Sequence, residues 1–430
     1  MSKFQIIVMG IFIACLVAGV IAFATFKGSG KVVDIPEISI WGTFPKDLFD
    51  QYLYKMNESL SQPLKVTYSQ IPEASFDNTF IQALARGQGP DAVLIPQDLL
   101  HRHEDKIVVI PYTTLPQRDF QNTFIQQAEL YLASNGTLAI PFVVDPLVMY
   151  WNRDIFTNAG IAYPPKYWDE FTNLNTKITQ KDTNSNIKKS AIALGEFNNI
   201  IHAREIFGTL LLQYGNPVTY RDNSGAVVSA LGSGSFSGLS SSVPALNFFT
   251  QFSNPSSKDY SWNRSLTNSK NSFLSGSLAT YFGFASEVRD IRLKNPNLDF
   301  DVTYMPQRFN SGNRVTFGSM YGFSIIRSSV NNAAAFSIIS TLIAKSSLEK
   351  MVTLTYLPPV RRDMISLGSI DPYLSVFYES ALISGAWLDS NKIESNNIFQ
   401  RMIESVTSGR SDKESALQSG SGEFDILLTQ

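Results

Sequence analysis

The sequence contains a single cysteine in 430 residues, and this residue, Cys15, lies inside an apolar N-terminal stretch. The remainder of the chain therefore cannot form an internal disulfide. A large extracytoplasmic domain does not depend on one, because a chain of this length buries a core of ample size. The same length is too great for one simple core, so we predict two lobes or domains.

Neither sign of charge is in clear excess. The chain has 35 basic and 37 acidic residues, a formal net charge of -2, and charged residues make up only 17% of it. Residues 1–30 contain Lys3 and Lys27 and no acidic residue, so the remainder is slightly more acidic than the whole. Nothing in this balance indicates binding of nucleic acid or another polyanion.

Sequence motifs for nucleotide, acyl-transfer and redox chemistry are missing. No GxxxxGK[ST] phosphate loop, GxSxG nucleophile elbow or CxxC pair occurs. The three histidines are His101, His103 and His202, and the first two would lie on different faces of a helix. Metal-assisted hydrolysis and histidine-based nucleophilic catalysis are poorly supported. We therefore predict no catalytic residue, no metal site and no cofactor.

The long apolar run of the sequence lies at its N-terminus. Phe4 to Phe26 are 23 residues without a charge, and about 20 suffice to span a bilayer. We predict that residues 1–33 form a transmembrane anchor or signal segment with a linker. Two alternatives stay open, which are cleavage after small residues such as Ala22 or Ala24, and lipidation of Cys15 in "FIAC".

Strand and helix patterns alternate from residue 36 onward. "EISIWGTF" reads as a buried strand, "PKDLFDQYLYKMNESL" has helical apolar spacing, and a second strand, a second helix and a third strand at Ala92 to Ile95 follow. This order implies a mainly parallel, doubly wound sheet. Because ligands of such sheets bind beyond the carboxyl ends of the strands, Trp41, Thr43 and Asp98 are candidate ligand neighbours.

What the sequence has in quantity is aromatic and acidic side chains. Aromatic residues make up 12% of the chain, and five of them are tryptophans. Aromatic rings stack on the apolar faces of sugar rings, and carboxylates accept strong hydrogen bonds from sugar hydroxyls. A pocket needs only a few such polar groups. This combination is typical of sugar recognition.

Four segments of the chain, taken in order, resemble one known family. They are "ALARGQGPDAVLIPQD" (83–98), "NGTLAIPFVVDPLVMYWNRDIFTNAGIAYPPKYWDEF" (135–171), "SFLSGSLATYFG" (272–283) and "LPPVRRD" (357–363). They resemble the extracellular solute-binding proteins of ABC importers, and specifically the sugar-binding group that includes maltose-binding protein. The second segment is the most specific of the four. The similarity extends over most of residues 36 to 420.

The resemblance implies an α/β, two-lobed periplasmic-binding-protein-like fold, with doubly wound sheets, a hinge and an interlobe cleft. Lobe 1 is expected to comprise residues 36–143 plus 306–346, and lobe 2 residues 147–305 plus 350–430. The chain would first cross between the lobes near Asp145. Ligand would bind in the cleft, and the lobes would close around it by hinge motion.

The resemblance and the strand-end argument together give eight candidate ligand-binding residues. They are Trp41, Thr43, Asp98, Asp145, Tyr281, Phe284, Tyr321 and Arg361. Asp98 and Asp145 match acidic sugar contacts of the family, although the family has a glutamate at the position of Asp145. For all eight the alternative is a structural role, such as core packing, helix capping or a surface ion pair.

The implied function is that of the extracytoplasmic solute-binding subunit of an ABC importer, with a sugar or oligosaccharide as the first expectation for its solute. The expected partners are permease subunits, and a separate subunit would supply ATPase activity. We expect a monomer attached to the cell membrane through residues 4–26, with its body on the extracytoplasmic side. A membrane-anchored ligand receptor and a carbohydrate-active enzyme remain alternatives. Glycerol phosphate, polyamine and metal binders share the architecture.

Overall fold

The computed structural model describes residues 36–232 and 242–429, and from Ile38 onward the chain forms one compact unit. The anchor predicted at residues 4–26, including Cys15, lies outside the described residues. In the part of the chain that the structure describes, no helix has both the length and the apolar character needed to cross a bilayer.

The described residues contain strands and α-helices in alternation over most of their length. The strands are β1 (Ile38–Gly42), β2 (Val66–Gln70), β3 (Ala92–Pro96), β4 (Ile110–Pro111), β5 (Leu132–Ala133), β6 (Gly136–Thr137), β7 (Ile140–Asn152), β8 (Gln180–Lys181), β9 (Ile187–Ile192), β10 (Thr219–Arg221), β11 (Val227–Ser229), β12 (Leu278–Phe284), β13 (Phe300–Thr303), β14 (Thr316–Ile325) and β15 (Ser384–Gly385). The helices are α1 (Lys46–Asn57), α2 (Glu73–Ala85), α3 (Gln97–Leu100), α4 (Gln117–Thr123), α5 (Arg153–Asn158), α6 (Glu170–Ile178), α7 (Ala203–Gln213), α8 (Val243–Thr250), α9 (Ser269–Leu274), α10 (Val288–Lys294), α11 (Asn332–Leu342), α12 (Lys345–Thr355), α13 (Arg362–Ile365), α14 (Pro372–Leu382), α15 (Lys392–Thr407) and α16 (Lys413–Leu428).

Local sequence explains the elements that position the site. Every residue of β3 is buried, as its continuous apolar sequence predicts for a strand covered on both faces. The helix α1 buries Phe49, Tyr52, Leu53 and Met56 on one face, which is the amphipathic pattern of a helix packed on a sheet. At the start of α15 the side chain of Asn391 accepts hydrogen bonds from two backbone N–H groups of the first turn.

The main sheet has ten strands in the described residues, with the order β2-β1-β3-β14-β7-β12-β9-β8, β13 paired with β7 and β15 with β14. The strand β1 is parallel to β2 and β3, and β12 is parallel to β9. The central pairs, β3 with β14, β14 with β7 and β7 with β12, are antiparallel. The sheet is therefore mixed, and its parallel pairs are β1 with β2 and β3, β9 with β12, and β14 with β15.

Two strands run from one hydrophobic core into the other. Residues 140–144 of β7 contribute to the first core, and residues 147–150 contribute to the second. The strand β14 does the same in reverse, with Phe317 in the second core and Met320 in the first. Asp145 pairs with Ser319 at the crossing. The two-lobed fold expected from the sequence is confirmed by this division and by the solved structures compared below.

The chain returns to the second lobe later than the sequence analysis expects. That analysis assigns residues 350–430 to lobe 2, whereas buried residues between 351 and 365 belong to the first core. The helix α12 packs against α1, which places it on lobe 1. The helix α14 gives Phe377 to the second core and Ala381 to the first. Apolar periodicity identifies a helix but not the core on which it packs, and this is why the boundary is missed.

We predict that Gly195, three residues after the end of β9, tolerates no side chain. Its φ is +97°, and a Cβ atom there would lie 2.5 Å from the backbone nitrogen of Ser253. Gly195→Ala should lower the free energy of unfolding by about 2–4 kcal/mol, the sum of left-handed strain and overpacking. Gly225 is the matched control, because its φ is +87° and its surroundings are open. Gly225→Ala should lower the free energy of unfolding, measured with urea, by only about 1 kcal/mol. If both variants lose the same free energy of unfolding, the packing argument is contradicted.

Candidate ligand site

The carboxyl ends of β1 and β3 carry polar atoms that have no protein partner among the described residues. They are the Oγ1 atom of Thr43, the Nε2 atom of Gln97 and the Oδ1 atom of Asp98, and all three atoms are buried. Gln97 uses its other atom, Oε1, to accept a hydrogen bond of 2.6 Å from the backbone N–H of Met320. Unpaired buried polar atoms are costly, so three at one sheet edge point to a ligand.

Two basic side chains from lobe 2 approach Asp98 from across the cleft. The Nη1 atom of Arg204, in the first turn of α7, lies 3.8 Å from Oδ2 of Asp98, and the Nζ atom of Lys392 lies 3.7 Å from the same oxygen. Lys392 is closer to Glu73 of lobe 1, at 3.1 Å. These pairs connect the two lobes at the edge where β3 ends.

Arg204 also makes shorter ion pairs within its own lobe. Its Nη2 atom lies 2.7 Å from Asp389, and its Nη1 atom lies 3.1 Å from Glu205. The guanidinium also sits over the indole of Trp387 at 4.7 Å. We call Glu73, Asp98, Arg204, Glu205, Asp389 and Lys392 the interlobe ion network. Since it contains four carboxylates and two basic groups, negative charge is in excess there.

The charge balance in the network shifts the pKa values of its members. Burial alone would lower the pKa of Arg204, but Asp389, Glu205 and Asp98 together raise it above its usual value. Asp98 is the main cause of the raised pKa of Lys392, with Glu73 and Glu205 adding to it. Burial would raise the pKa of Glu205, but Arg204 is the leading influence that lowers it. These three side chains are therefore charged at neutral pH.

The second-lobe side of the cleft is formed at the end of β12. Phe284 is half-buried there, and its ring meets the imidazole of His202 edge-to-face at a centroid distance of 4.7 Å. His202 precedes α7 and lies 2.7 Å from Glu287. The hydroxyl of Tyr150 donates a hydrogen bond of 2.6 Å to the carbonyl of Phe284, which fixes the strand end. Phe284 is thus an aromatic surface held in place beside the start of α7.

Asp145 lies between the two lobes, at the crossing of β7 and β14. Its Oδ1 atom accepts a hydrogen bond of 3.0 Å from the backbone N–H of Ser286, just after β12. Burial raises the pKa of Asp145 to about 7, and Glu287 adds to the rise, while the bond from Ser286 and the nearby His202 oppose it. The carboxyl group keeps some contact with solvent. It can therefore gain or lose a proton near neutral pH.

Tyr321 is placed beside Asp98 by strand register, because it pairs with Pro96 at the end of β3. Its ring meets that of Phe44 edge-to-face at 5.3 Å. Burial raises the pKa of the Tyr321 hydroxyl to about 12, with the charge of Glu73 adding to the rise. The structure thus brings Thr43, Asp98 and Tyr321 to one side of the cleft.

The structure gives three of the candidates from the sequence contacts with other parts of the protein. Tyr281 is 1% exposed, packs against Tyr150 and Phe273 in the second core, and donates a hydrogen bond to Glu287. Arg361 pairs with Asp363 at the start of α13. Trp41 is half-buried against the small apolar cluster around β3 and α2. Tyr281 is a core residue because both faces of β12 are covered, so that every residue of the strand before Phe284 is buried.

Sequence reasoning missed Gln97, Arg204, Trp387 and Lys392. One usable signal was present, since Arg204 and Glu205 are the charged residues of "AREIFGTLLLQ", a helix that is otherwise largely apolar. A charged side chain in such a helix is buried only when it is paired. The partners of Arg204 in the other parts of the chain, Asp98 and Asp389, lie more than a hundred residues before and after it, and the sequence does not reveal this pairing.

Comparison with known proteins identifies the class. Residues 53–372 match the family model described as bacterial extracellular solute-binding protein, and the chain belongs to this family. The family predicted from the sequence is thus confirmed, and it is a family of binding proteins. No curated protein matches the chain.

Solved structures of the same fold include several sugar-bound proteins. A cyclic alpha-maltosyl-1,6-maltose binding protein from Arthrobacter globiformis has a TM-score of 0.71 and 16% identity, over 91% of this chain and 99% of that one. The maltotriose-bound maltotriose binding protein of Thermus thermophilus has a TM-score of 0.64 and 16% identity, with the same coverage of 91% and 99%. An ABC transporter solute binding protein from Thermotoga lettingae, bound with alpha-D-tagatose, has a TM-score of 0.67 and 16% identity, again over 91% and 99%. At this identity the likeness establishes the fold.

We predict that Arg204 is indispensable for stability. Arg204→Met leaves Asp389, Glu205 and Asp98 buried without their main cation, so it should lower the free energy of unfolding by about 3–5 kcal/mol. The control is Arg401→Met, which breaks the exposed pair with Glu423 and should cost about 0–1 kcal/mol. Denaturant unfolding measures both, and a loss at Arg204 no larger than that at Arg401 would contradict a buried network.

We predict a pH-dependent effect at Asp145. Its folded pKa of about 7 is above its ordinary value, so the stability it contributes is present in full below about pH 4 and is lost as the pH rises through 7. Asp145→Asn cannot lose a proton, so the variant should gain stability relative to the parent between about pH 4 and 8. Unfolding midpoints over this range measure the difference. A difference that does not change with pH would contradict the raised pKa of Asp145.

The opposite sign is expected at Asp182, which serves as the control. The bonds from Asn186 are the leading cause of the lowering of its pKa to about 2. Its contribution is therefore present above its ordinary pKa and is lost as the pH falls toward 2. Asp182→Asn should lose stability relative to the parent at neutral pH, and this loss should shrink in acid.

Proposed function

We propose that this protein is the extracytoplasmic solute-binding subunit of an ABC importer and that it captures a carbohydrate in the cleft between its lobes. The observation that carries the proposal is the set of buried, unpartnered polar atoms on Thr43, Gln97 and Asp98, at the strand ends that face lobe 2. Family membership and the sugar-bound proteins of the same fold support it.

The site contains the two kinds of group that a sugar requires. Asp98 offers an unpartnered carboxylate oxygen to a hydroxyl donor, and Gln97 offers an unpartnered amide donor to a hydroxyl acceptor. Across the cleft, Phe284 offers a half-buried ring on which the apolar face of a sugar can stack. A micromolar complex needs about -8 kcal/mol, which one stacked ring and several charge-assisted hydrogen bonds can supply.

The proposed lobe closure follows from the division of the ligand-binding residues between the two lobes. Thr43, Gln97 and Asp98 belong to lobe 1 and Phe284 to lobe 2, so a ligand that contacts both favours the closed arrangement by its differential affinity for it. The strands β7 and β14 connect the lobes and act as the hinge. We propose that the closed protein docks as a monomer on permease subunits, that residues 4–26 hold it at the membrane, and that it performs no catalysis. Recovery of permease subunits with the tagged protein would separate an importer subunit from a receptor.

The binding site is tested with the full chain in a thermal-shift and calorimetric screen of maltotetraose, mannotriose and tagatose, with glycerol phosphate as a solute of another class. Saturation at 100 times the dissociation constant should add about 2.7 kcal/mol to the stability. For the sugar that binds, Phe284→Ala should weaken affinity by about tenfold or more, because it removes the stacking surface. Phe309→Ala is the matched control, since Phe309 is an exposed aromatic whose ring contact is Tyr167.

The outcomes separate the parts of the proposal. Loss of affinity in the Phe284 variant with retention in the Phe309 variant supports a sugar bound in this cleft. If the two variants bind the sugar with equal affinity, the sugar does not stack on Phe284. A shift with glycerol phosphate but with no sugar would keep the solute-binding role and contradict the carbohydrate class.

A further inference from the structure

Lys392 occupies a position that resembles that of a bound ligand. It is the first residue of α15 and belongs to lobe 2, yet two carboxylates of lobe 1, Glu73 and Asp98, lie 3.1 Å and 3.7 Å from its Nζ atom. Its side chain is 34% exposed, so the ammonium group reaches the cleft from its edge. The protein thus places one of its own ammonium groups between two acids of the opposite lobe.

Opening of the lobes would break the ion pairs of Glu73 and Asp98 but would leave the main ion pairs of Arg204 intact. Arg204 keeps its two shortest ion pairs, to Asp389 and Glu205, because all three residues belong to lobe 2. Glu73 and Asp98 have ion pairs only with Arg204 and Lys392 among the described residues, and both of these leave with lobe 2. The open lobe 1 therefore presents two carboxylates without a cation.

The site of Asp98 is incompletely paired even when the lobes are in contact. The residue is 2% exposed, its Oδ1 atom has no partner, and both cations near Oδ2 are beyond hydrogen-bond distance. A buried carboxylate with one unpaired oxygen needs a donor. Because carboxylates outnumber cations in the interlobe ion network, a positively charged donor compensates the site better than a neutral hydroxyl.

We propose that Glu73 and Asp98 form an ammonium subsite, and that the saccharide this protein captures carries a primary amine, which takes the position of the Lys392 ammonium when the lobes close. This inference rests on the proposed carbohydrate function and specifies the class of sugar. Hydrogen bonds between an ammonium group and a carboxylate are about twice as strong as neutral ones, so the subsite selects by charge. Lys392 is then an internal competitor of the ligand.

The test compares two probes with the same sugar backbone, the β-1,4-linked dimer of glucosamine, whose amines are charged, and its N-acetylated counterpart, whose bulkier amides are neutral. Calorimetry with the full chain is carried out at a pH where the amines are protonated. The amine dimer should bind about tenfold tighter or more than the acetylated dimer. In the isosteric variant Asp98→Asn this ratio should fall to near one, and circular dichroism confirms that the variant is folded.

A second variant tests whether Lys392 competes with the ligand, and it leaves the buried Asp98 unchanged. Lys392→Met removes the ammonium group that occupies the subsite, so it should raise affinity for the amine dimer several-fold more than affinity for the acetylated dimer. Lys55→Met, an exposed lysine on α1, is the control for removing one positive charge. A gain in the Lys55 variant equal to that in the Lys392 variant would indicate a long-range charge effect and overturn the competition.

The remaining outcomes distinguish this inference from the function on which it rests. Equal binding of the two dimers, or binding of maltotetraose alone, would overturn the ammonium subsite and leave the carbohydrate function standing. If no sugar binds, both the carbohydrate function and the ammonium subsite are contradicted. Binding of a simple diamine without any sugar would contradict the carbohydrate function and retain the pair of carboxylates as an amine site.

Discussion

The antiparallel pairing of β7 and β14 is the constraint on which the rest of the structure depends. These two strands are shared by both cores, and the registered pair of Asp145 with Ser319 lies where they cross. Because side chains alternate along a strand, a slip of one residue would turn apolar positions of both cores toward the wrong face. The register therefore fixes Asp145 at the hinge and sets the strand ends of each lobe opposite one another.

The interlobe ion network is the second determinant of the site. Arg204 stacks on Trp387 and pairs with acids of its own lobe, and it also approaches Asp98 of the other. The free-energy cost of desolvating these charges is offset only while each charge keeps its ion-pair partner. The network thus makes the cleft sensitive to charge as well as to shape, which is unlike a cleft built from rings and neutral acceptors alone.

The sequence predicted the family, the two-lobed fold, β1 to β3, and the placement of Thr43 and Asp98 at strand ends. These features depend on short-range patterns and on motifs. Tyr281 was proposed as a ligand contact together with Phe284, because the sequence alone does not show that β12 is covered on both faces up to Phe284. Arg204 and Lys392 were missed, and residues 351–365 were assigned to lobe 2, because the contacts that place them join segments more than a hundred residues apart. Long-range pairing of this kind leaves no local signal.

The order in which the chain visits the two cores has a consequence for its biogenesis. The first core contains buried residues between 38 and 144 and again between 320 and 365, so the part of lobe 2 between these two segments is inserted within lobe 1. Synthesis from the N-terminus delivers β14 and α12 long after β1 to β3 have emerged, and the first lobe cannot close its sheet until then. Completion of the first lobe therefore depends on residues that are synthesised only after most of the second lobe.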